Sequence, residues 1–136
     1  MSLVIPDVSE VETLDFLTAA LLDGLVARLY SNNHTPAAAS VLVDFTECVF
    51  AGYADQVLTG WSNAAIDGSS HAFSIALPVG FTPTLLAGSG NIYGWYLTDA
   101  GNTILYGAEI FSGAPLTVAQ NITLQLSVTY TAKSEF

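Results

Sequence analysis

Between Ile122 and Thr131 the chain reads ITLQLSVTYT, an unbroken alternation: Ile122, Leu124, Leu126, Val128 and Tyr130 fall on one side, and Thr123, Gln125, Ser127, Thr129 and Thr131 on the other. A period of two is the repeat of a pleated strand, whose successive side chains point to opposite faces. The run therefore predicts a strand buried on one face and solvated on the other, the habit of antiparallel sheets.

The rest of the chain repeats this grammar. Strands are expected near Tyr53 to Trp61, Ala72 to Pro78, Asn91 to Thr98 and Thr103 to Phe111, and the runs DGSS, PVGFTP, AGSGN, TDAGN and SGAP punctuate them. Each of those runs combines Gly, Pro, Asn, Asp or Ser, residues that accept left-handed backbone or bond their own main chain. The stretch from Asn91 to Phe111 reads as a hairpin turning at Asp99 to Asn102. In LVARLYS, Leu25, Ala27 and Leu29 alternate with Val26, Arg28 and Tyr30, which predicts a further strand.

One segment has a different period. Ser9 and Glu12 form a capping box, Leu14, Leu17, Leu21 and Leu25 recur at three or four residues, and Gly24 supplies a left-handed stop. The expected fold is mainly β, an antiparallel β-sandwich or partly closed barrel with one N-terminal α-helix. Residues 1–24 are expected to form an arm and amphipathic helix, and residues 25–136 a single β-domain, since 136 residues are the usual size of one domain.

Composition narrows the partners. Apolar residues make up 51% of the chain and charged residues 10%, against about a quarter charged in ordinary globular domains. A surface so poor in charge is expected to be covered in part by other subunits. The two basic residues, Arg28 and Lys133, stand against twelve acids for a net charge of −10. Phosphate backbones and anionic lipid surfaces both call for clustered Lys and Arg, so neither nucleic acid nor a membrane is an expected partner. The start MSLVIPDVSEVE lacks a basic, apolar leader, which predicts synthesis in a cytoplasm.

The densest collection of reactive residues lies in LYSNNHTPAAASVLVDFTECVF, Leu29 to Phe50, where His34 could serve as base, Asp44 or Glu47 as its orienter and Cys48 as nucleophile. No nucleophile signature surrounds Cys48, and a lone cysteine is more often a small buried apolar residue. Ser70 with His71 lacks the G-x-S-x-G elbow, and GSGNIYG at Gly88 to Gly94 has neither a following helix nor the lysine of a P-loop. The acids are scattered singly, without a calcium-loop pattern. The sequence therefore predicts no catalytic, cofactor-binding or metal-ligating residue, and no enzyme. Among the aromatics, Trp95 and Tyr96 are adjacent and must face opposite ways, so one of them is expected on an outer face as an interface anchor. Leu14, Leu17 and Leu21 are the other interface residues expected.

The motifs IPDVSE, LYSNNHTP, VDFTEC, GYADQVL and IYGWYLTDAGNTILYGAEIF, in this order, resemble small virion-associated proteins of the structural gene region of tailed bacteriophages and prophages. The resemblance implies a virion structural protein, foremost a cement or decoration protein that stabilises the head shell. Its implied partners are the major capsid protein and sister subunits, in a homo-oligomer such as a trimer, and its implied location is the phage head. In that setting Asn32, Asn33 and Thr35 hold turns, and Asp44, Thr46 and Glu47 make local caps. A tail or head-to-tail connector component is the alternative within the virion. A carbohydrate-binding β-module using Trp61, Trp95 or Tyr96 is the alternative outside it.

Overall fold

The structure is a computed structural model that describes residues 24–66, 68 and 71–132. The expected N-terminal helix, with Leu14, Leu17 and Leu21, lies outside the described residues apart from its stop at Gly24. The described residues form nine strands: β1 (Val26–Tyr30), β2 (Gln56–Val57), β3 (Ala65–Ile66), β4 (Ala72–Ile75), β5 (Val79–Phe81), β6 (Gly94–Thr98), β7 (Leu105–Ile110), β8 (Leu124–Leu126) and β9 (Thr129–Ala132). The described helix content is one 3-10 turn at Leu42–Asp44. Every strand pairing is antiparallel. The chain is mainly β, and the sheets are open: among the described residues none closes into a barrel.

The chain divides into two compact units. The larger, Leu25–Val57 with Val79–Leu126, holds a four-stranded sheet in the order β2-β1-β6-β7 and the β5-β8 pair. β1 lies between β2 and β6, and all five of its residues are buried. Both of its faces are therefore interior, and Arg28 is carried inward with its apolar neighbours. On the face of Arg28 and Tyr30, a core forms from Tyr30, Phe45 and Tyr96, with Leu42, Tyr93, Leu105 and Ala108 around it. Phe45 stacks on Tyr96 with ring centroids 5.1 Å apart, and Tyr30 meets Phe45 edge-on at 5.0 Å, both favoured aromatic geometries. Tyr30 lies across from Gly94, where a Cβ would stand 2.6 Å from the Tyr30 ring. Glycine at this strand position leaves room for the ring.

β6 and β7 form the expected hairpin, and β7 is an edge strand. Leu97 pairs with Gly107 but Thr98 with Leu105, so Tyr106 is bulged out of the ladder. The turn between them is fastened by Asp99, whose carboxylate accepts from the Thr103 N–H, the Thr103 hydroxyl and the Ile104 N–H.

The described part of the smaller unit consists of Gly24 and stretches within 58–78 and 127–132, with a three-stranded sheet ordered β3-β4-β9. Ala72, Ser74, Ala76 and Val128 are buried, while Ile75 and Leu77 face outward. Ser74 satisfies its buried hydroxyl by donating to the Ser62 carbonyl at 2.6 Å, and the Ser62 hydroxyl accepts from the Ile75 N–H.

Two corrections concern strands. The run Ile122 to Thr131, read as one strand, is β8 and β9: β8 pairs with β5 in the larger unit and β9 with β4 in the smaller. The alternation is nevertheless kept from Thr123 to Thr131, with Leu126 and Val128 buried and Gln125, Ser127 and Thr129 exposed; Ile122 alone breaks it, at 58% exposure. Periodicity reports which way side chains face and is silent on which strand accepts the hydrogen bonds. The second correction is PVGFTP, read as a turn, which contributes β5 through Val79, Gly80 and Phe81.

Candidate functional site

Residues 31–46 form a loop closed at its base. Ser31 N–H donates to the Thr46 carbonyl, Cys48 N–H donates to the Leu29 carbonyl, and Tyr30 and Glu47 form an isolated bridge. Asn32 spans the neck: its amide nitrogen donates to the Asp44 carbonyl at 2.7 Å, and its amide oxygen accepts the Thr46 N–H at 2.8 Å. Asp44 accepts the Val41 N–H and so fastens the 3-10 turn. Asn32 and Asp44 thus do the turn and cap work expected of this stretch.

Glu47 does something else. Rather than capping its own segment, its two carboxylate oxygens accept from Arg28 Nη1 at 3.1 and 3.0 Å. Asp55 contacts the same nitrogen at 3.0 Å, and Arg28 Nε donates to the Thr98 hydroxyl at 3.0 Å. Tyr53 completes the network by donating its hydroxyl to Glu47 at 2.7 Å while accepting the Leu29 N–H. The Arg28 side chain is 9% exposed, so an unpaired charge there would be costly. Burial alone would lower the Arg28 pKa, but hydrogen bonding and attraction to Glu47, then Asp55, outweigh it and the net direction is up. Burial pushes the Tyr53 phenol up, reinforced by Glu47, and pushes Tyr96 up to about 12. The sequence reading missed this network. The available signal was an arginine set among apolar residues in a strand, which has to find carboxylates if that strand is central.

The supposed constellation of His34, Asp44 or Glu47, and Cys48 is not assembled. Asp44 and Glu47 are committed as described, and Cys48 is buried, its thiol pushed up to about 12 chiefly by burial. His34 instead faces a residue the sequence did not single out. Its Nε2 lies 2.9 Å from the Ser40 hydroxyl, which also accepts the Ala37 N–H at 2.9 Å. Both ends of His34 are fixed: its N–H donates to the Asn32 carbonyl, its carbonyl accepts the Tyr30 hydroxyl, and its ring meets Phe45 edge-on at 5.0 Å. Ser40 lines a groove of about 440 Å³ with Pro36, Ala37 and Ala38 on one wall and the Leu105–Ala108 stretch of β7 on the other. The bulged Tyr106 contributes to the β7 wall.

The remaining site-like motifs resolve into packing. In GSG, Gly88 and Gly90 have positive φ and Ser89 clamps Val118, accepting its N–H and donating its own N–H to its carbonyl. A Cβ at Gly88 would meet the Val118 carbonyl oxygen at 2.5 Å, so this glycine serves close approach of two backbones. His71 is half-buried at the head of β4, and Ser70 lies outside the described residues. Tyr96 is 2% exposed and belongs to the core, which leaves Trp95, half-buried and paired across the strands with Glu109, as the member of the tandem that faces the other way. Trp61 is half-buried in the smaller unit. Among the described residues no group of three or more His, Cys, Asp or Glu is placed to hold a metal ion, and no helix is long and apolar enough to cross a membrane.

Comparison with protein-family models, curated proteins and solved structures finds no match to this chain.

Proposed function

We propose that this chain is a structural component of a tailed-bacteriophage virion, and specifically a cement or decoration protein that binds the head shell in symmetric copies. A β-sandwich is the form this reading gives the fold. One observation carries it: in a chain with 10% charged residues, large aliphatic side chains stand in the open, with Val43 at 89%, Val49 at 93% and Leu86 at 89% exposure. Isolated exposed aliphatics are ordinary, but this many on a surface with so few charges suits a protein that functions against other subunits. A ligand that binds only the assembled shell stabilises it by mass action, which is what a cement protein supplies. The net charge of −10 also disfavours adhesion to packaged nucleic acid. In this reading Leu14, Leu17, Leu21 and Trp95 supply contacts to the major capsid protein or to sister subunits.

Quantitative mass spectrometry of purified particles tests the reading. A copy number comparable with that of the major capsid protein supports a shell cement, and a handful of copies would move the chain to the tail or connector. Absence from particles would overturn the proposal.

A further inference from the structure

The His34–Ser40 pair goes beyond a structural role in the virion and stands independently of it. Ser40 has two neighbours at hydrogen-bond distance, and they play different parts. The Ala37 N–H occupies a lone pair of the Ser40 hydroxyl oxygen at 2.9 Å. In the tautomer with the ring proton on Nδ1, the Ser40 proton then points at His34 Nε2, also 2.9 Å away. A serine and an imidazole within this reach form the core of an activated nucleophile. The base is held in place: Phe45 stands at its ring, and Asn32 and Tyr30 fix its backbone. Ser40 opens onto the groove, whose walls at Pro36, Ala37, Ala38, Leu105 and Ala108 carry no charge.

We infer that Ser40, with His34 as its general base, is an acylatable serine that reacts with neutral short-chain esters bound in this groove. Ser40 Oγ forms a bond to the ester carbonyl carbon and its proton passes to His34 Nε2. As the ester C–O bond breaks, that proton goes to the departing alcohol. Water, deprotonated by the same imidazole, then cleaves the acyl–Ser40 bond and returns the proton to Ser40. None of the described carboxylates bonds the His34 ring, so the pair works without the third member that orients and charges the base in a full triad. Turnover is accordingly slow, and the acyl adduct is the more sensitive readout.

The experiment treats the full chain with a fluorophosphonate probe and, separately, with p-nitrophenyl butyrate, and reads adducts by peptide mass spectrometry. The expected result is an adduct at Ser40, formed well ahead of any at the exposed Ser112. General-base catalysis contributes about a hundredfold or more, so His34→Ala should slow labelling by about that factor, with partial rescue by added imidazole. His34→Gln keeps a hydrogen-bonding group without a base and guards against a fold defect in the alanine variant, with near-UV dichroism confirming the fold of each. Ser40→Ala should abolish the adduct and the ester turnover. No adduct at Ser40, or one that forms equally fast in folded His34→Gln, would overturn the inference.

Discussion

Arg28 Nη1 lies 3.1 and 3.0 Å from the two carboxylate oxygens of Glu47, joining the middle of β1 to the segment that closes the 31–46 loop. The chain has one arginine and one lysine. The arginine is spent on an internal tie, where Asp55 and Thr98 take up what Glu47 leaves open and Tyr53 donates its hydroxyl to Glu47. The loop base, the central strand and β6 are thus fastened at one point.

Removing one partner of a buried pair strands the other, which costs about 3–5 kcal/mol. Glu47 keeps 29% exposure, so Arg28→Ala is expected at the lower end, about 3 kcal/mol by urea unfolding. The double variant Arg28→Met with Glu47→Leu, which leaves neither of these two charges unpaired, should be more stable than Arg28→Ala. A single variant no less stable than the parent would show that the pair does not hold the loop.

Phe45 touches Tyr30, Tyr96 and His34 at once. Truncating it to alanine removes the shared wall of the aromatic cluster and should cost about 3 kcal/mol or more. The near-UV dichroism of the tyrosines should weaken in the same variant, since their asymmetric packing is lost. Unchanged dichroism would contradict the cluster.

Asp99 is held down to about 2, first by the Thr103 hydroxyl and then by the Ile104 and Thr103 N–H groups. An unfolded aspartate titrates near 3.9, so the folded form is favoured by deprotonation. This contribution is complete above about pH 4 and is lost as pH falls through about 2. Protection at Thr103 and Ile104, taken as exchange relative to the intrinsic rate at the same pH, should therefore fall across that window, and in Asp99→Ala it should be low at every pH. Protection that is indifferent to both changes would sink the assignment.

Cys48 is 3% exposed, and burial pushes its thiol up to about 12. The thiolate is the reactive form, so the folded chain should resist iodoacetamide at neutral pH and react promptly once unfolded in guanidinium. Rapid alkylation of the native chain would place Cys48 elsewhere.

Residues declare some of these features in sequence and withhold others, for physical reasons. The Asp99–Asn102 turn was legible because Asp, Gly and Asn carry their backbone preferences locally. The inward facing of Leu124, Leu126 and Val128 was legible because alternation encodes it. The exchange of partners between β8 and β9 was not, since hydrogen-bonded neighbours leave no mark in a periodic pattern. Arg28 was read as lying on one face of a strand, and only the central position of β1 turns that face into an interior. The His34–Ser40 pair depends on a loop closed by Asn32, a contact set by residues a dozen or more positions apart, so the six-residue spacing of the pair carries no signal of its own.

The proposed association with a viral shell is tested most directly by an image reconstruction of the intact particle compared with one from which this chain has been deleted. If the proposal holds, density for the chain lies on the head surface at symmetric, repeated positions and is lost in the deletion together with resistance of the head to heat or chelator. Heads identical in density and equally resistant with and without the chain would contradict it.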